Sequence, residues 1–229
     1  MEKLNLLEEI KNSYNKISDN FNVTRKYNWD EFDNFKKYIL ESKNKKIKIL
    51  DIGCGNGRLI NFIDELNLDY EYFGIDNSIS QIKNAIKNFG DKKNIKFLEA
   101  DILNIPFNNN EFDYIFCIAT FHHLPSNENK NNALREMRRV LKESGIIFMT
   151  NWNLFQKKYI ASTIRYLKHD FIPWKNNDGK VLTNRYYYAF TKKELENIFI
   201  KNNFEILENN FSENRNFYKA KNIISILKK

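Results

Sequence analysis

The residues with the clearest chemical content are Asp51–Gly57, which have the pattern D-x-G-x-G-x-G and follow the apolar run Ile47–Ile52. The run predicts a buried strand, and the pattern that begins at Arg58 predicts a helix. Glycines at alternate positions let the backbone turn sharply and lie against a ligand, whose polar end meets the unpaired N–H groups of the helix start. The segment therefore predicts a ligand-binding turn; a glycine-rich turn without a ligand is the alternative.

The glycine spacing separates this turn from two other nucleotide-binding loops. A dinucleotide fingerprint, G-x-G-x-x-G, needs its third glycine at the position that Arg58 occupies. A phosphate-binding P-loop needs a Gly-Lys-Ser/Thr ending, which this segment lacks. We therefore expect neither an NAD-dependent enzyme nor an NTPase.

Acidic residues end the next two predicted strands. Asp76 can accept both ribose hydroxyls of an adenosine, as carboxylates at this place do in dinucleotide folds. Asp101 can take the adenine amino group while Ile102 covers the ring. Asp51 would orient the glycine turn or accept from an ammonium group of the ligand. The alternatives are a helix N-terminal acid at Asp76 and a turn-forming acid at Asp101.

Two adjacent histidines, His122 and His123, follow the fourth predicted strand, Phe112–Ala119. Neighbouring histidines do not project from one helical face, and no H-E-x-x-H pattern or cysteine cluster surrounds them, so we expect no metal site. Either histidine could form a hydrogen bond with the substrate or position the loop, and a structural role is equally compatible.

The composition sets wider limits. A chain of 229 residues that is 42% hydrophobic and 15% aromatic can bury one substantial core. The formal charge of +8 fits an anionic partner such as RNA, although a lysine-rich codon bias gives the same value. Two cysteines, Cys54 and Cys117, indicate buried thiols in a reducing compartment. No apolar stretch approaches ~18 residues, so we expect a cytoplasmic protein without a membrane span.

Strands and helices alternate from residue 47 onward, which predicts an α/β fold: a Rossmann-like, seven-stranded, mostly parallel sheet with helices on both faces. The predicted strands are Ile47–Ile52, Tyr70–Asp76, Ile95–Ala100, Phe112–Ala119, Ile146–Asn151, Phe204–Leu207 and Ile223–Leu227, the last two forming a reversed hairpin. The predicted helices are Arg58–Leu66, Ser78–Phe89, Asn129–Leu141 and a helix from Thr191 to Ile200.

Two appendages flank this sheet. Residues 4–42 predict two helices, Leu4–Asp19 and Asp30–Leu40, joined by Asn20–Trp29. Residues 152–188 form a polar, aromatic insertion. Both lie near the carboxyl ends of strands, where open α/β sheets bind ligands, so we expect a lid or a substrate platform. The expected organisation is one domain, 1–229, with a helical cap (1–45), a ligand-binding core (46–151), the insertion, and a C-terminal helix and strands (189–229).

The glycine pattern resembles the first motif of class I S-adenosylmethionine-dependent methyltransferases. Further segments resemble the tRNA wobble-uridine carboxymethyl methyltransferases, which esterify 5-carboxymethyluridine in the anticodon. These segments follow the family's order over nearly the whole chain: Tyr14–Ile17, Phe21, Thr24-Arg25, Trp29, Ile118–Leu124, Asn151-Trp152, Ile172–Trp174 and Arg185–Phe190 with Glu194-Leu195. The chain departs from the family at Lys26-Tyr27-Asn28, at Asn127–Asn131, which lacks paired arginines, and at Glu143–Gly145, which we interpret as a turn.

The resemblance implies S-adenosylmethionine as the methyl donor, tRNA (its anticodon loop) as the partner and a small zinc-binding activator subunit. Together with the strand-end argument, it assigns donor binding to Tyr14, Asp51, Gly53, Cys54, Gly55, Asn56, Gly57, Asp76, Asn77, Asp101, Ile102, Cys117, Ile118 and Ala119. It assigns the acceptor side to Arg25, His122, His123, Trp152, Arg185 and Tyr187.

A carboxylate acceptor is already ionised near pH 7, so it needs no general base, and catalysis reduces to positioning. Arg25 and Arg185 are the candidates for gripping that carboxylate or a phosphate, since a guanidinium matches two oxygens. Trp152 and Tyr187 could stack on a flipped base, with a core role as the alternative. Two rival functions remain: methylation of a small quinone-like or amine metabolite, and non-catalytic RNA binding.

Overall fold

The computed structural model describes residues 3–25, 30–42, 45–176, 178–212 and 218–229. Its main sheet has seven strands: β1 (Ile47–Ile52), β2 (Tyr70–Asp76), β3 (Ile95–Glu99), β4 (Phe112–Ile118), β5 (Leu141–Trp152), β8 (Glu205–Phe211) and β9 (Asn222–Lys228). The spatial order is β3-β2-β1-β4-β5-β9-β8. The first five strands are parallel, and β9 is antiparallel to both of its neighbours. The predicted Rossmann-like sheet with a reversed last hairpin is confirmed.

Helices cover both faces of this sheet, and the described helices are α1 (Lys3–Thr24), α2 (Asp33–Leu40), α3 (Leu59–Glu65), α4 (Ile79–Phe89), α5 (Asn127–Val140), α6 (Ile160–Arg165) and α7 (Lys192–Lys201). One core lies under α5 and α7, and a second lies under α2 and α3. Side chains of Ser78, Ser126 and Thr191 cap the amino ends of α4, α5 and α7, which fixes where each helix begins.

The boundaries that differ most from the sequence prediction are the end of helix α1 and the start of strand β5. Helix α1 continues to Thr24 instead of ending at Asp19, while Lys26-Tyr27-Asn28 and Trp29 lie outside the described residues. Strand β5 begins at Leu141, so Glu143–Gly145 belongs to the strand and the interpretation as a turn was wrong. The pairing moves from Phe112↔Leu141 to Tyr114↔Ile146, because the extra residues of β5 bulge out of the ladder.

The insertion folds as α6 followed by a separate two-stranded antiparallel sheet, β6 (His169–Lys175) and β7 (Val181–Tyr188). An isolated pair of strands is marginally stable, so this hairpin depends on its neighbours. Trp174 Nε1 donates to Asn20 Oδ1 of α1 at 2.7 Å, which ties the hairpin to the N-terminal helix. Within the described residues, no helix combines the length and apolar character that crossing a bilayer requires.

Candidate active site

The glycine turn after β1 adopts backbone conformations that other residues rarely tolerate. Gly53, Gly55 and Gly57 have φ values of +71°, +54° and +82°. A Cβ on Gly53 would lie 2.2 Å from Thr120 Oγ1, and one on Gly57 would lie 3.0 Å from the Phe89 ring. Gly53 and Gly55 line a cavity at the carboxyl ends of the strands, whereas Gly57 packs behind the turn. The pattern of alternate glycines therefore serves both ligand access and packing.

Asp76, at the end of β2, holds the glycine turn in place. Its carboxylate accepts from the backbone N–H of Gly55 at 3.0 Å and of Ser78 at 2.9 Å. Burial raises the pKa of this carboxyl to about 6, and the two backbone hydrogen bonds oppose that rise. Asp76 lines the cavity, so the remaining lone pairs of its oxygens are available to hydroxyl donors of a ligand.

Asp51 is buried beneath the same turn and is oriented by Tyr72, a residue that the sequence argument missed. Tyr72 Oη donates to Asp51 Oδ2 at 2.6 Å. Burial raises the pKa of Asp51 to about 7; the Tyr72 hydrogen bond lowers it and the nearby Asp76 raises it. The signal in the sequence was a tyrosine in the apolar strand β2, opposite Ile49 of β1 and two positions from the partner of Asp51.

Gln81 on α4 is a second residue that the sequence argument missed. It is 1% exposed and lines the cavity, and neither atom of its side-chain amide has a partner in the described part of the chain. The Oδ1 atom of Asn56 in the glycine turn is unpaired in the same way. Buried polar atoms without partners are costly, so this wall suits a polar ligand that can pair with them. The hydroxyls and amino groups of S-adenosylmethionine match these atoms, and the residues present fit that donor.

At the other end of the cavity, His123 holds a loop in place. Its Nδ1 lies 2.7 Å from the carbonyl oxygen of Tyr186, and its Nε2 lies 2.7 Å from Tyr14 Oη. A carbonyl only accepts, so Nδ1 carries the proton and Nε2 accepts from the tyrosine hydroxyl. Burial lowers the pKa of His123 to about 3, which leaves the ring neutral. Both nitrogens are occupied, so this side chain joins α1, β7 and the loop after β4.

His122 has the opposite arrangement. Its Nδ1 accepts from the backbone N–H of Trp152 at 3.1 Å, so the proton of the neutral ring is on Nε2. Burial, with contributions from His123 and Arg185, holds its pKa well below the usual value. Nε2 is buried and has no partner among the described residues. His122 lines the cavity, where it offers an N–H donor and cannot act as a base near pH 7.

Two guanidinium groups converge on the same end of the cavity. The Arg25 and Arg185 guanidinium carbons lie 5.0 and 4.6 Å from the centre of the Trp174 ring. Burial and then the charge of Arg185 lower the pKa of Arg25. Arg185 is 7% exposed, and its Nε has no partner in the described ranges. Neither arginine forms an ion pair with a described carboxylate, so this end of the cavity suits an anion.

The Trp152 and Tyr187 rings form one wall of the cavity by stacking on each other. Their centroids are 4.9 Å apart with an interplanar angle of 8°, and Tyr159 stacks on Trp152 at 6.1 Å. Tyr187 is 2% exposed. The two ring faces that meet are closed to a third ring, so they are unavailable for the predicted stacking on a flipped base.

Most residues assigned from the sequence line this one cavity. Those brought together are Tyr14, Arg25, Asp51, Gly53, Cys54, Gly55, Asn56, Asp76, Asn77, Asp101, Ile102, Ile118, Ala119, His122, His123, Trp152, Arg185 and Tyr187. Gly57 and Cys117 are not brought to it; Cys117 is fully buried in the core under α5. Asp101 lies exposed at the edge, where its Oδ1 accepts from Leu103 N at 2.9 Å. Among the described residues, no cluster of His, Cys, Asp and Glu side chains could hold a metal ion.

Comparison with known proteins agrees with this geometry. A family model described as a methyltransferase domain matches residues 43–203. The tRNA (carboxymethyluridine(34)-5-O)-methyltransferase of Schizosaccharomyces pombe is 28% identical over 225 residues, which cover 89% of this chain and 92% of that protein. The Saccharomyces cerevisiae protein of the same name is 29% identical over 73% of this chain, and the match covers 56% of its length.

Solved structures show the same fold. A SAM-dependent methyltransferase from Methanosarcina mazei has a TM-score of 0.67 at 20% identity and covers 83% of this chain and 96% of its own. A Burkholderia thailandensis 1,6-didemethyltoxoflavin-N1-methyltransferase with bound S-adenosylhomocysteine has a TM-score of 0.69 at 12% identity, with 100% and 91% coverage. A complex of the Haloferax volcanii Trm112 methyltransferase activator with a methyltransferase matches at 0.59 and 15%, with 87% and 96% coverage. The family-model match over residues 43–203 shows that the chain belongs to the family of methyltransferase domains.

Proposed function

We propose that this enzyme methylates the carboxylate of 5-carboxymethyluridine at the wobble position of tRNA. The observation that carries the proposal is the pair of guanidinium groups, Arg25 and Arg185, which flank Trp174 without a carboxylate partner among the described residues. An acceptor that is itself an anion would relieve their mutual repulsion. The two yeast relatives that share most of this chain are named for the same reaction.

The remaining residues of the cavity suit an acceptor that needs no deprotonation. S-adenosylmethionine supplies an electrophilic methyl group. A carboxylate is ionised at neutral pH, and the two histidines, with lowered pKa values, are neutral there and take no proton. Arg25 and Arg185 would bind the carboxylate through charged hydrogen bonds, while the Nε2–H of His122 would donate to an oxygen of the same nucleoside. The stacked rings of Trp152 and Tyr187 would exclude water from the cavity wall beside the carboxylate.

The partners in this proposal are tRNA and a small zinc-binding activator subunit. The charge of +8 supports association with a polyanion. The Haloferax volcanii neighbour was solved as a complex with an activator, which supports a corresponding subunit here.

A transfer assay with two matched substrates tests the proposal. Purified enzyme and labelled donor are incubated with anticodon stem-loops that carry either 5-carboxymethyluridine or its neutral amide, 5-carbamoylmethyluridine. We expect label only in the acid substrate, as an ester that mild alkali removes and mass spectrometry identifies. Equal methylation of the acid and the amide would refute a carboxylate acceptor. So would the absence of methylation of either substrate in an assay that contains the activator.

Methylation of a small amine is disfavoured by the same geometry. A protonated amine would meet the charges of Arg25 and Arg185, and near pH 7 the neutral histidines offer it no base with a suitable pKa. Labelling of a metabolite extract in preference to total tRNA would support that alternative instead.

A further inference from the structure

The hairpin of β6 and β7 has two faces with different surroundings. Side chains alternate along β6, so that Asp170, Ile172 and Trp174 are buried while the residues between them are exposed. The inner face contributes Trp174 and Arg185 to the cavity. The outer face presents Phe171, 43% exposed with its ring 5.6 Å from that of Tyr186. A fixed aromatic ring is therefore displayed on the outside of the cavity wall.

The turn that leads into β6 displays further large apolar side chains. Tyr166 and Leu167 are 54% and 81% exposed. Leu167 and Lys168 have φ values of +49° and +73°, a region that is unfavourable for residues with a side chain. The turn is nevertheless held by two backbone bonds of 2.8 Å, from Lys168 N to Thr163 O and from Ala189 N to Lys168 O. Strain held in this way is typical of functional surfaces.

The same insertion concentrates positive charge. Residues 152–188 hold seven Lys and Arg against two Asp, which gives +5 of the chain's +8. One of the two acids, Asp170, is buried and accepts from Ser162 Oγ at 2.6 Å. Exposed Arg165, Lys175 and Lys180 form no ion pair with any described residue. Cations are thus spread along the hairpin from its root to its tip, with little acid to neutralise them.

We propose that the outer face of this hairpin and the turn before it, residues 164–175 and 180–181, bind the RNA strand that flanks the nucleotide in the cavity. The proposal rests on the function proposed above. Aromatic rings between cations are the means by which proteins hold single-stranded nucleic acid, because bases stack on the rings and phosphates meet the charges. Seven residues of β6 extend over about 20 Å, enough for several nucleotides. A charge that is spread in this way fits a polyanion better than an apolar protein surface.

Binding of an unmodified anticodon stem-loop RNA to the full-length chain tests this surface without methyl transfer. We expect K175E/K180E to weaken binding at least roughly tenfold and to reduce the slope of log K against log salt by about two, since two phosphate contacts are lost. The matched control is K83E/K87E, which places the same charge change on exposed α4 residues that form no ion pair with a described residue, and it should retain wild-type affinity. Phe171→Ala should weaken binding about tenfold with an unchanged salt slope.

Two readouts separate failure of this surface from failure of the proposed function. If the function is right and the surface is wrong, K175E/K180E will methylate the modified stem-loop with an unchanged KM. If the surface is right and the function is wrong, the variant will lose RNA affinity although neither protein transfers a methyl group. The proposed surface would be refuted if K175E/K180E and K83E/K87E lost equal RNA affinity, or if the wild type bound no RNA. It would also be refuted if K175E/K180E kept its RNA affinity but lost binding to anionic lipid vesicles.

Discussion

The two walls of the cavity have opposite chemistry. The wall formed by the ends of β1 and β2 presents the carboxylates of Asp51 and Asp76 with the unpaired amide of Gln81. The wall formed by α1 and the hairpin presents the guanidinium groups of Arg25 and Arg185 around an aromatic ring. The first suits a ligand with hydroxyl and ammonium groups and the second suits an anion. After the roles proposed for them, we call the first wall the donor side and the second the acceptor side.

The two sides are also assembled differently. Adjacent parallel strands bring Asp51 and Asp76 to one edge of the sheet, so the topology alone places them together. Arg25 and Arg185 meet only because α1 crosses the hairpin, where Asn20 accepts from Trp174 and Tyr14 donates to His123. The donor side therefore depends on the sheet, and the acceptor side depends on contacts between appendages.

The largest effect is expected on the donor side. Asp76→Ala removes the acceptor of the Gly55 and Ser78 N–H groups together with the group that we assign to the ribose hydroxyls. Binding of S-adenosylhomocysteine should become undetectable, a loss of at least roughly 100-fold, because a charged hydrogen-bond acceptor contributes about 1.5–3 kcal/mol and the turn also loses its anchor. Calorimetry measures this, with thermal unfolding as the control. Wild-type affinity in Asp76→Ala would remove Asp76 from the donor site.

A smaller loss, of a different kind, is expected on the acceptor side. Arg185→Ala and Arg25→Ala should bind S-adenosylhomocysteine like the wild type but reduce kcat/KM for methyl transfer about 100-fold, since each removes one charged partner of the anion. Lysine at either position should restore only part of the activity, because an ammonium lacks the planar pair of donors. Single-turnover kinetics and calorimetry on the same preparations measure both quantities. A change in donor affinity as large as the change in kcat/KM would show that the two sides are not separate.

The sequence predicted which residues of both sides line the cavity, but it predicted the local arrangement only for the turn of the donor side. The glycine spacing and the acids at the ends of β1 and β2 predicted the turn, because a local motif and the parallel topology determine its position. Gln81 was missed because an amide on a helix has no distinctive pattern, and Tyr72 because its bond to Asp51 crosses between strands. The stacking of Trp152 on Tyr187 and the separate tasks of His122 and His123 depend on contacts over long sequence separations, which spacing does not encode.

Stability should distinguish a glycine that serves the donor side from one at the tip of the hairpin. Gly53 and Gly179 both have positive φ, but a Cβ on Gly53 would collide with Thr120, whereas no described atom lies within 4 Å of a Cβ on Gly179. Gly179→Ala should lower the free energy of unfolding by about 1–2 kcal/mol, for the conformation alone. Gly53→Ala should lower it by a further ~1–3 kcal/mol from the clash. Urea denaturation measures both, and Thr120→Ala should recover part of the second loss; equal losses at the two positions would contradict the clash.

The smallest expected effect is a difference between the two sides in how ligand affinity depends on pH. Burial raises the pKa of Asp76 to about 6 and that of Asp51 to about 7, so both take up protons as the pH falls from 8 to 5. Because the folded-state pKa values are raised, the contribution of these groups to stability is present at low pH and is lost as the pH rises through 6 and 7. The affinity for the methyl donor should change with pH in the opposite direction and rise with pH, since the ribose hydroxyl groups donate best to an ionised carboxylate.

Calorimetry should therefore find S-adenosylhomocysteine bound about tenfold more weakly at pH 5 than at pH 8, because pH 5 lies one unit below the pKa of Asp76. Asp76→Asn should lose most of this dependence. The acceptor side should not respond, because the pKa of His123 is lowered to about 3, that of His122 is lowered well below its usual value, and the arginines stay charged. Affinity for the carboxymethyluridine nucleotide should accordingly be constant between pH 5.5 and 8. A parallel decline of both affinities would show that the carboxylates and the guanidinium groups act as one coupled site.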